Sequence, residues 1–331
     1  MGILQPIWDG TLVYREPVCF SADKDGRPTG GTLLYQPEEI LSVTSFDGSV
    51  FYQPERDYTV NGRQLVRTEA SRIPYLERSV YCKPFTGVPE TAWVRLPGGE
   101  SYMVVVSDVY RWQTLVTYTH RDKWAGFQPE ACGESLPRSM EKLRAGGDFH
   151  LTFYGDSITA GWEASGCNER AIDMVTLGEY HVSLWHAPYQ PAWAELVTNA
   201  LQARYPQSNV IKTNRAAGGS TVQWGVEHAA ELVPPCKPDL IMLGFGMNSM
   251  QESAEDYRRA ILSIIRTIRK ECHDCEFVLM SPMIPNPEIK GFQNNQLPAQ
   301  QDVLYQIAAE LEGVCIAPVH SVFREMTARG K

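Results

Sequence analysis

The chain has 331 residues, of which 43% are hydrophobic and 21% charged, and a formal net charge of −9. This is an ordinary composition for a folded chain of about two domains. The acidic balance, with no basic run, argues against a nucleic-acid surface and favours a neutral or cationic substrate over a polyanion. No stretch approaches the roughly 18 apolar residues that a membrane-spanning helix needs. The first ten residues carry neither a basic nor an apolar leader region, so the chain reads as cytoplasmic, or as a secreted form with its leader removed.

Residues 11–20 are rich in β-formers, and similar short runs recur at 33–35, 40–46, 50–52 and 58–60. Asp25 and Gly26, Gly30 and Gly31, Asp47 and Gly48, and Asn61 and Gly62 separate them with residues suited to tight turns. Further strands are predicted at 79–82, 92–96, 102–107 and 114–119. With almost no helical period and no internal repeat, residues 1–130 are expected to form a β-sandwich. Trp93, Tyr102, Tyr110 and Trp112 have two readings there, as core packing or as a carbohydrate platform, of which packing is the commoner role. Residues 131–148 read as a linker helix, with Ser135 as its cap, Pro137 near its start and Gly146 and Gly147 as its stop.

From residue 149 the pattern changes to strands alternating with helices. Strands are predicted at 149–153, 209–213, 239–244, 276–281 and 313–318, and helices at 191–204, 221–232, 254–270 and 299–312. In the third helix Tyr257, Ile261, Ile264, Ile265 and Ile268 share one face. Five strands with helices between them imply an α/β domain, a parallel sheet covered on both sides.

Three strand ends carry unusual chemistry. The first strand runs into Gly155, Asp156 and Ser157, which puts a serine at a strand's carboxyl end, where open α/β sheets bind ligands. The second ends in Gly218 and Gly219, which open a helix without the lysine of a phosphate-binding loop. The third is followed by Gly246, Met247 and Asn248, whose side-chain amide can donate to a developing oxyanion. Each signal alone is weak; the three in this order are far more specific.

On these residues the chain from about 149 onward resembles the SGNH, or GDSL, hydrolase superfamily. The resemblance implies a flavodoxin-like parallel sheet. It implies Ser157 as nucleophile, with the N–H groups of Ser157 and Gly219 and the Asn248 amide forming the oxyanion hole. Ser249 stands where the family usually has Asp. A preceding sandwich, jelly-roll-like, resembles the two-domain carbohydrate esterases of bacteria, which remove acetyl groups from sugars. The family's closing Asp-x-x-His block, which supplies the general base, is not found. The segment 149–331 is therefore expected to stop short of that block and to be impaired as an esterase.

The histidines present have other readings. His320 follows the fifth strand, with Ala317 where the block would place its Asp. His181 and His186 lie in a long insertion, residues 163–190, which either shapes an acyl or sugar pocket or is a surface loop. His120, His150, His228 and His273 read as structural or solvated. The eight cysteines are scattered, which fits a reducing compartment. Cys272 and Cys275 lack the second pair that a zinc site needs and read as unpaired thiols.

The expected activity is removal of acetyl or other short acyl groups from a carbohydrate or small ester, with no metal and no cofactor. Two alternatives stay open. One is a lipase- or lysophospholipase-like acylhydrolase; the other is a carbohydrate-binding protein without a catalytic base.

Overall fold

The computed structural model describes residues 5–23, 25–77, 93–95, 101–103, 109–285, 292 and 294–331. The chain divides into two compact units. The first comprises Met1–Phe127, Asn286–Gln293 and Arg324–Lys331, and the second Gln128–Pro285 and Asn294–Phe323. Among the described residues no helix is long and apolar enough to cross a membrane.

The first unit is β-rich. Its strands are β1 (Leu12–Ala22), β2 (Pro28–Gly30), β3 (Pro37–Ser45), β4 (Tyr58–Asn61), β5 (Gln64–Arg67), β6 (Trp93–Arg95), β7 (Ser101–Met103) and β8 (Gln113–His120). A four-stranded antiparallel sheet has the order β2-β1-β8-β3, and β4–β5 and β6–β7 form ribbons. Val116, Tyr118 and His120 alternate inward along β8, as the two-residue period of a half-buried strand requires. They meet Val18, Phe20, Leu33, Tyr35, Leu65 and Ile73 in the core.

Residues 33–35 are buried but are not a strand. Leu33 N–H donates to Arg63 O, Leu34 N–H to the Glu16 carboxylate and Tyr35 N–H to the Tyr118 hydroxyl, so side chains replace much of the ladder. The strand expected at 79–82 lies outside the described residues, as do parts of those at 92–96 and 102–107. Tyr110 packs on Phe46, which agrees with the packing role for that aromatic.

The second unit carries the parallel sheet. Its elements are α1 (Pro137–Ala145), β9 (Gly147–Gly155), α2 (Ser157–Ala160), β10 (Asn168–Ile172), β11 (Glu179–Ser183) and α3 (Trp193–Arg204). There follow β12 (Ser208–Asn214), α4 (Val222–Leu232), β13 (Leu240–Gly244), α5 (Ala254–Arg269), β14 (Glu276–Met280), α6 (Leu297–Glu310), β15 (Val314–Ala317) and α7 (Val319–Ala328), whose residues from Arg324 onward belong to the first unit. Five parallel strands lie in the order β12-β9-β13-β14-β15, as the alternating pattern predicts. Ile241, Leu243, Phe277 and Leu279 pack in one core cluster with the Tyr257–Ile268 face of α5. Phe149, Leu151, Phe153 and Val278 pack in another with Leu143 of α1 and Ala194 of α3. Burial on both faces is why these strands read as nearly unbroken apolar runs.

The start of α1 corrects one expectation. Ser135 lies in a preceding 3-10 turn, and the cap position is Leu136, which has no capping side chain. The capping acceptor comes from far along the chain. Glu276, fully buried at the start of β14, accepts from Arg138 N at 3.1 Å and Ser139 N at 2.8 Å. A carboxylate on the free N–H groups of a first helical turn is stabilised by both hydrogen bonds and the helix dipole.

Candidate active site

The carboxyl ends of β9, β12 and β13 are adjacent in the sheet, and the three sequence blocks leave from them. Asp156 directly follows β9 and caps the short α2, its carboxylate accepting from Ile158 N at 3.0 Å. Ser157 is the first residue of that turn and is half-buried. Asp156 itself is 2% exposed, and burial pushes its carboxyl up to about 6 against backbone hydrogen bonds from Ile158, Thr159 and Met247.

The strand ends are laced together. Asp156 N donates to Gly244 O at 3.2 Å and Thr159 Oγ1 to the same carbonyl at 2.9 Å. Ala217 N donates to Gly155 O at 2.9 Å, and Ser220 Oγ to that oxygen at 3.2 Å. Bonds between main-chain and short side-chain groups fix the three blocks against one another before any substrate arrives.

Gly219 has φ +79°, the left-handed region that favours glycine, and no atom lies within 4 Å of where a Cβ would stand. The space beside its backbone is open. Gly218 is different: a Cβ there would collide with the Trp162 indole. Only a glycine lets that ring come so close to the backbone next to Gly219.

Asn248 sits in the 3-10 turn Met247–Ser249, and its Nδ2 donates to Ser220 O at 3.0 Å. That bond ties the asparagine to the Gly218–Gly219 block and leaves a second amide proton. Ser249, the departure from the usual Asp, is 3% exposed. Its Oγ accepts from Val222 N at 2.9 Å at the start of α4, and its carbonyl accepts from Gln300 Nε2 at 2.8 Å. Ser249 thus ties this turn to the start of α4 and to α6.

The insertion carries a hairpin that the sequence reading does not contain. Strands β10 and β11 pair antiparallel from Asn168–Ser183 to Ile172–Glu179. Lys212 on β12 bonds Glu169 at 2.5 Å and Glu195 at 2.6 Å, and Arg215 pairs with Glu179. Ile172 N donates to Ala216 O at 3.0 Å, and Trp224 Nε1 to Met174 O at 3.1 Å. The hairpin is therefore held beside the Gly218–Gly219 turn. Its Tyr180 meets Trp162 edge to face at 6.2 Å, while Trp185, 70% exposed, lies 5.1 Å from Tyr189.

Residues 153–330 match the family described as GDSL-like Lipase/Acylhydrolase. The chain belongs to that family. Comparison with curated proteins gives no match. Among solved structures, this GDSL-family chain is similar to a two-domain esterase (CEX) active on acetylated mannans. The identity is 19% and the TM-score 0.43, over 60% of this chain and 45% of that one. It is also similar to Axe2, an acetylxylan esterase from Geobacillus stearothermophilus, at 21% identity and a TM-score of 0.41, over 56% of this chain and 82% of that one. The chain thus spans less than half the length of the mannan esterase.

The histidines of this GDSL-family chain occupy varied places. His320 opens α7, is 6% exposed, and its N–H donates to Ser281 Oγ at 2.9 Å beyond β14. The strand before it, β15, ends at Ala317 and is three places from β9 in the sheet, about 14 Å at ordinary strand spacing. His181 Nε2 bonds Asn168 Oδ1 across the hairpin, and His186 Nδ1 meets Ala187 O at 3.1 Å. His228 packs on Trp224, His273 Nδ1 meets Arg269 O, and His120 stacks on Tyr35. His150 lies within β9. Among the described residues no group of three His, Cys, Asp or Glu side chains could hold a metal ion.

Two contributors were beyond the sequence reading. Ser249 as a helix-start acceptor could have been suspected from its place after Asn248, ahead of no helix of its own. Trp162 carried a fainter signal, a large aromatic five residues after the serine.

Proposed function

We propose that this chain is a serine esterase that removes acetyl or other short acyl groups from carbohydrate or small esters. One observation carries the reading: Ser157, the open left-handed Gly219 and the tethered Asn248 leave from the carboxyl ends of neighbouring strands.

In this reading a base takes the Ser157 proton, and Ser157 Oγ attacks the ester carbonyl. The oxyanion is held by the N–H groups of Ser157 and Gly219 and by the free amide proton of Asn248. The tetrahedral intermediate collapses, the alcohol leaves, and water releases the acid from the acyl-enzyme. The base is not assigned to any histidine of this chain. The indole of Trp162, laid against Gly218, walls the space beside the oxyanion position and fits a short acyl group. The exposed pair Trp185 and Tyr189 offers flat apolar faces of the kind on which sugar rings stack.

The test is covalent labelling by a fluorophosphonate together with hydrolysis of p-nitrophenyl acetate. Ser157 is expected to carry the label, and Ser157→Ala to lose both label and hydrolysis. A folded chain that takes no label at Ser157 overturns the reading in favour of a binding protein.

A further inference from the structure

The Sγ atoms of Cys132 and Cys315 lie 2.8 Å apart. This is inside van der Waals contact for two sulfurs and about 0.75 Å longer than a disulfide bond. Both residues belong to the second unit. Cys315 lies in the edge strand β15 and is 4% exposed, while Cys132 is half-buried just ahead of the 3-10 turn Gly133–Ser135. They sit in the cluster of Phe149, Leu151 and Val278, on the face that carries α1. Other thiols are engaged differently: those of Cys19, Cys167, Cys236 and Cys275 point at main-chain carbonyls. The reading of the cysteines as scattered thiols therefore overlooks one pair that the fold brings together across 183 residues.

We propose that Cys132 and Cys315 are a redox site, closing to a disulfide that staples the segment ahead of α1 to the edge strand of the sheet. Exposure orders the steps. Cys132 is the thiol that solvent reaches, so its thiolate attacks one sulfur of a small disulfide such as oxidised glutathione. A mixed disulfide forms and one glutathione thiolate leaves. Cys315 then gives up its proton to that thiolate and attacks Cys132 Sγ, expelling the second glutathione thiolate. Two protein thiols are oxidised by two electrons, and one glutathione disulfide is reduced to two thiols. The local hydrogen bond favours these roles. The Cys315 thiol donates to Cys132 and holds the Cys132 thiol below the ordinary cysteine value, while that bond and burial push Cys315 up.

The test is made on the whole chain equilibrated with oxidised glutathione, then alkylated and digested for mass spectrometry. The expected result is a peptide pair joined through Cys132 and Cys315 and a loss of two titratable thiols. The melting temperature should rise by about 5–10 °C, reversed by dithiothreitol. Cys132→Ser should abolish the linked peptide and the thermal shift, and Cys315→Val should leave Cys132 trapped as its glutathione adduct. The proposal is overturned if both thiols stay alkylatable in the oxidised buffer. It is equally overturned if wild-type Cys132 stops at the glutathione adduct, or if either cysteine is recovered joined to a different partner.

Discussion

Ser249 Oγ accepts the backbone N–H of Val222 at 2.9 Å, joining the turn after β13 to the first residue of α4. The same turn presents Asn248, and the same helix start follows Gly219, so this bond, with that from Asn248 to Ser220 O, sets the spacing of the two groups proposed as oxyanion donors. Ser249→Ala leaves Val222 N–H buried without that acceptor. It should cost about 1–3 kcal/mol in urea denaturation and lower kcat more than it raises KM. Wild-type stability in the variant would mean that the turn and the helix are held by other contacts.

Asn248 gives one amide proton to Ser220 O, and the proposed mechanism assigns the other to the oxyanion. Asn248→Ala should therefore lower kcat for p-nitrophenyl acetate by about 10²- to 10³-fold, with a smaller change in KM and with fluorophosphonate labelling of Ser157 retained. A loss below about threefold would remove Asn248 from the oxyanion hole and leave it a turn residue.

Asp156 makes stability depend on pH in a known direction. Burial raises its folded pKa to about 6 from an ordinary 3.8, so the folded chain holds this proton to higher pH than the unfolded chain does. Its contribution is full below the unfolded value and is lost as pH rises through about 6. Two units correspond to about 3 kcal/mol. Asp156→Asn keeps an oxygen for the Ile158 N–H and removes the titration. The difference in urea midpoint between the two chains should change between about pH 4 and pH 7 and be flat above. Parallel profiles over that range would place the Asp156 pKa at its ordinary value.

In the first unit Glu16 is 6% exposed. It accepts from Tyr118 OH at 2.6 Å and Leu34 N at 2.9 Å, and pairs with Lys331 Nζ at 2.5 Å. Lys331 also donates to Thr32 O at 2.9 Å. Removing one member of such a buried pair leaves the other charge uncompensated. Lys331→Met should destabilise the first unit by about 3–5 kcal/mol, read by urea denaturation. Double replacement with Glu16→Gln should recover part of that loss. A cost equal to the sum of the single changes would show that the two groups do not interact.

The parallel sheet and its three chemical blocks were legible because their signals are local. The Ile261–Ile268 face of α5 repeats at the helical period, and two of the blocks closely follow the apolar strands β9 and β13. The remaining features depend on partners distant in sequence. The acceptor for α1 is Glu276, more than a hundred residues on. The hairpin β10–β11 has short, partly charged strands and is held by Lys212 of β12 and by Arg215 just after it, so neither strand announces itself by pattern. Residues 33–35 have β-forming composition, but Glu16 and Tyr118 take two of their N–H groups. In each case a tertiary contact overrides the local preference.

The Trp162 wall gives a test of acyl selectivity. Its ring lies against Gly218, beside the open backbone of Gly219, and is braced edge to face by Tyr180 from the pinned hairpin. A ring so placed narrows the space next to the position proposed for the carbonyl oxygen. Each methylene that fits or fails to fit a pocket changes discrimination by roughly 10- to 200-fold. Trp162→Ala should therefore raise the ratio of kcat/KM for p-nitrophenyl hexanoate over acetate by at least about tenfold, and Trp162→Phe should raise it less. Tyr180→Ala, which removes the brace and leaves the ring, should give an intermediate ratio. If the hexanoate-to-acetate ratio is unmoved in all three, the ring does not bound the acyl group. A selective loss on acetylated oligosaccharides in the same variants would then assign Trp162 to the sugar side of the site.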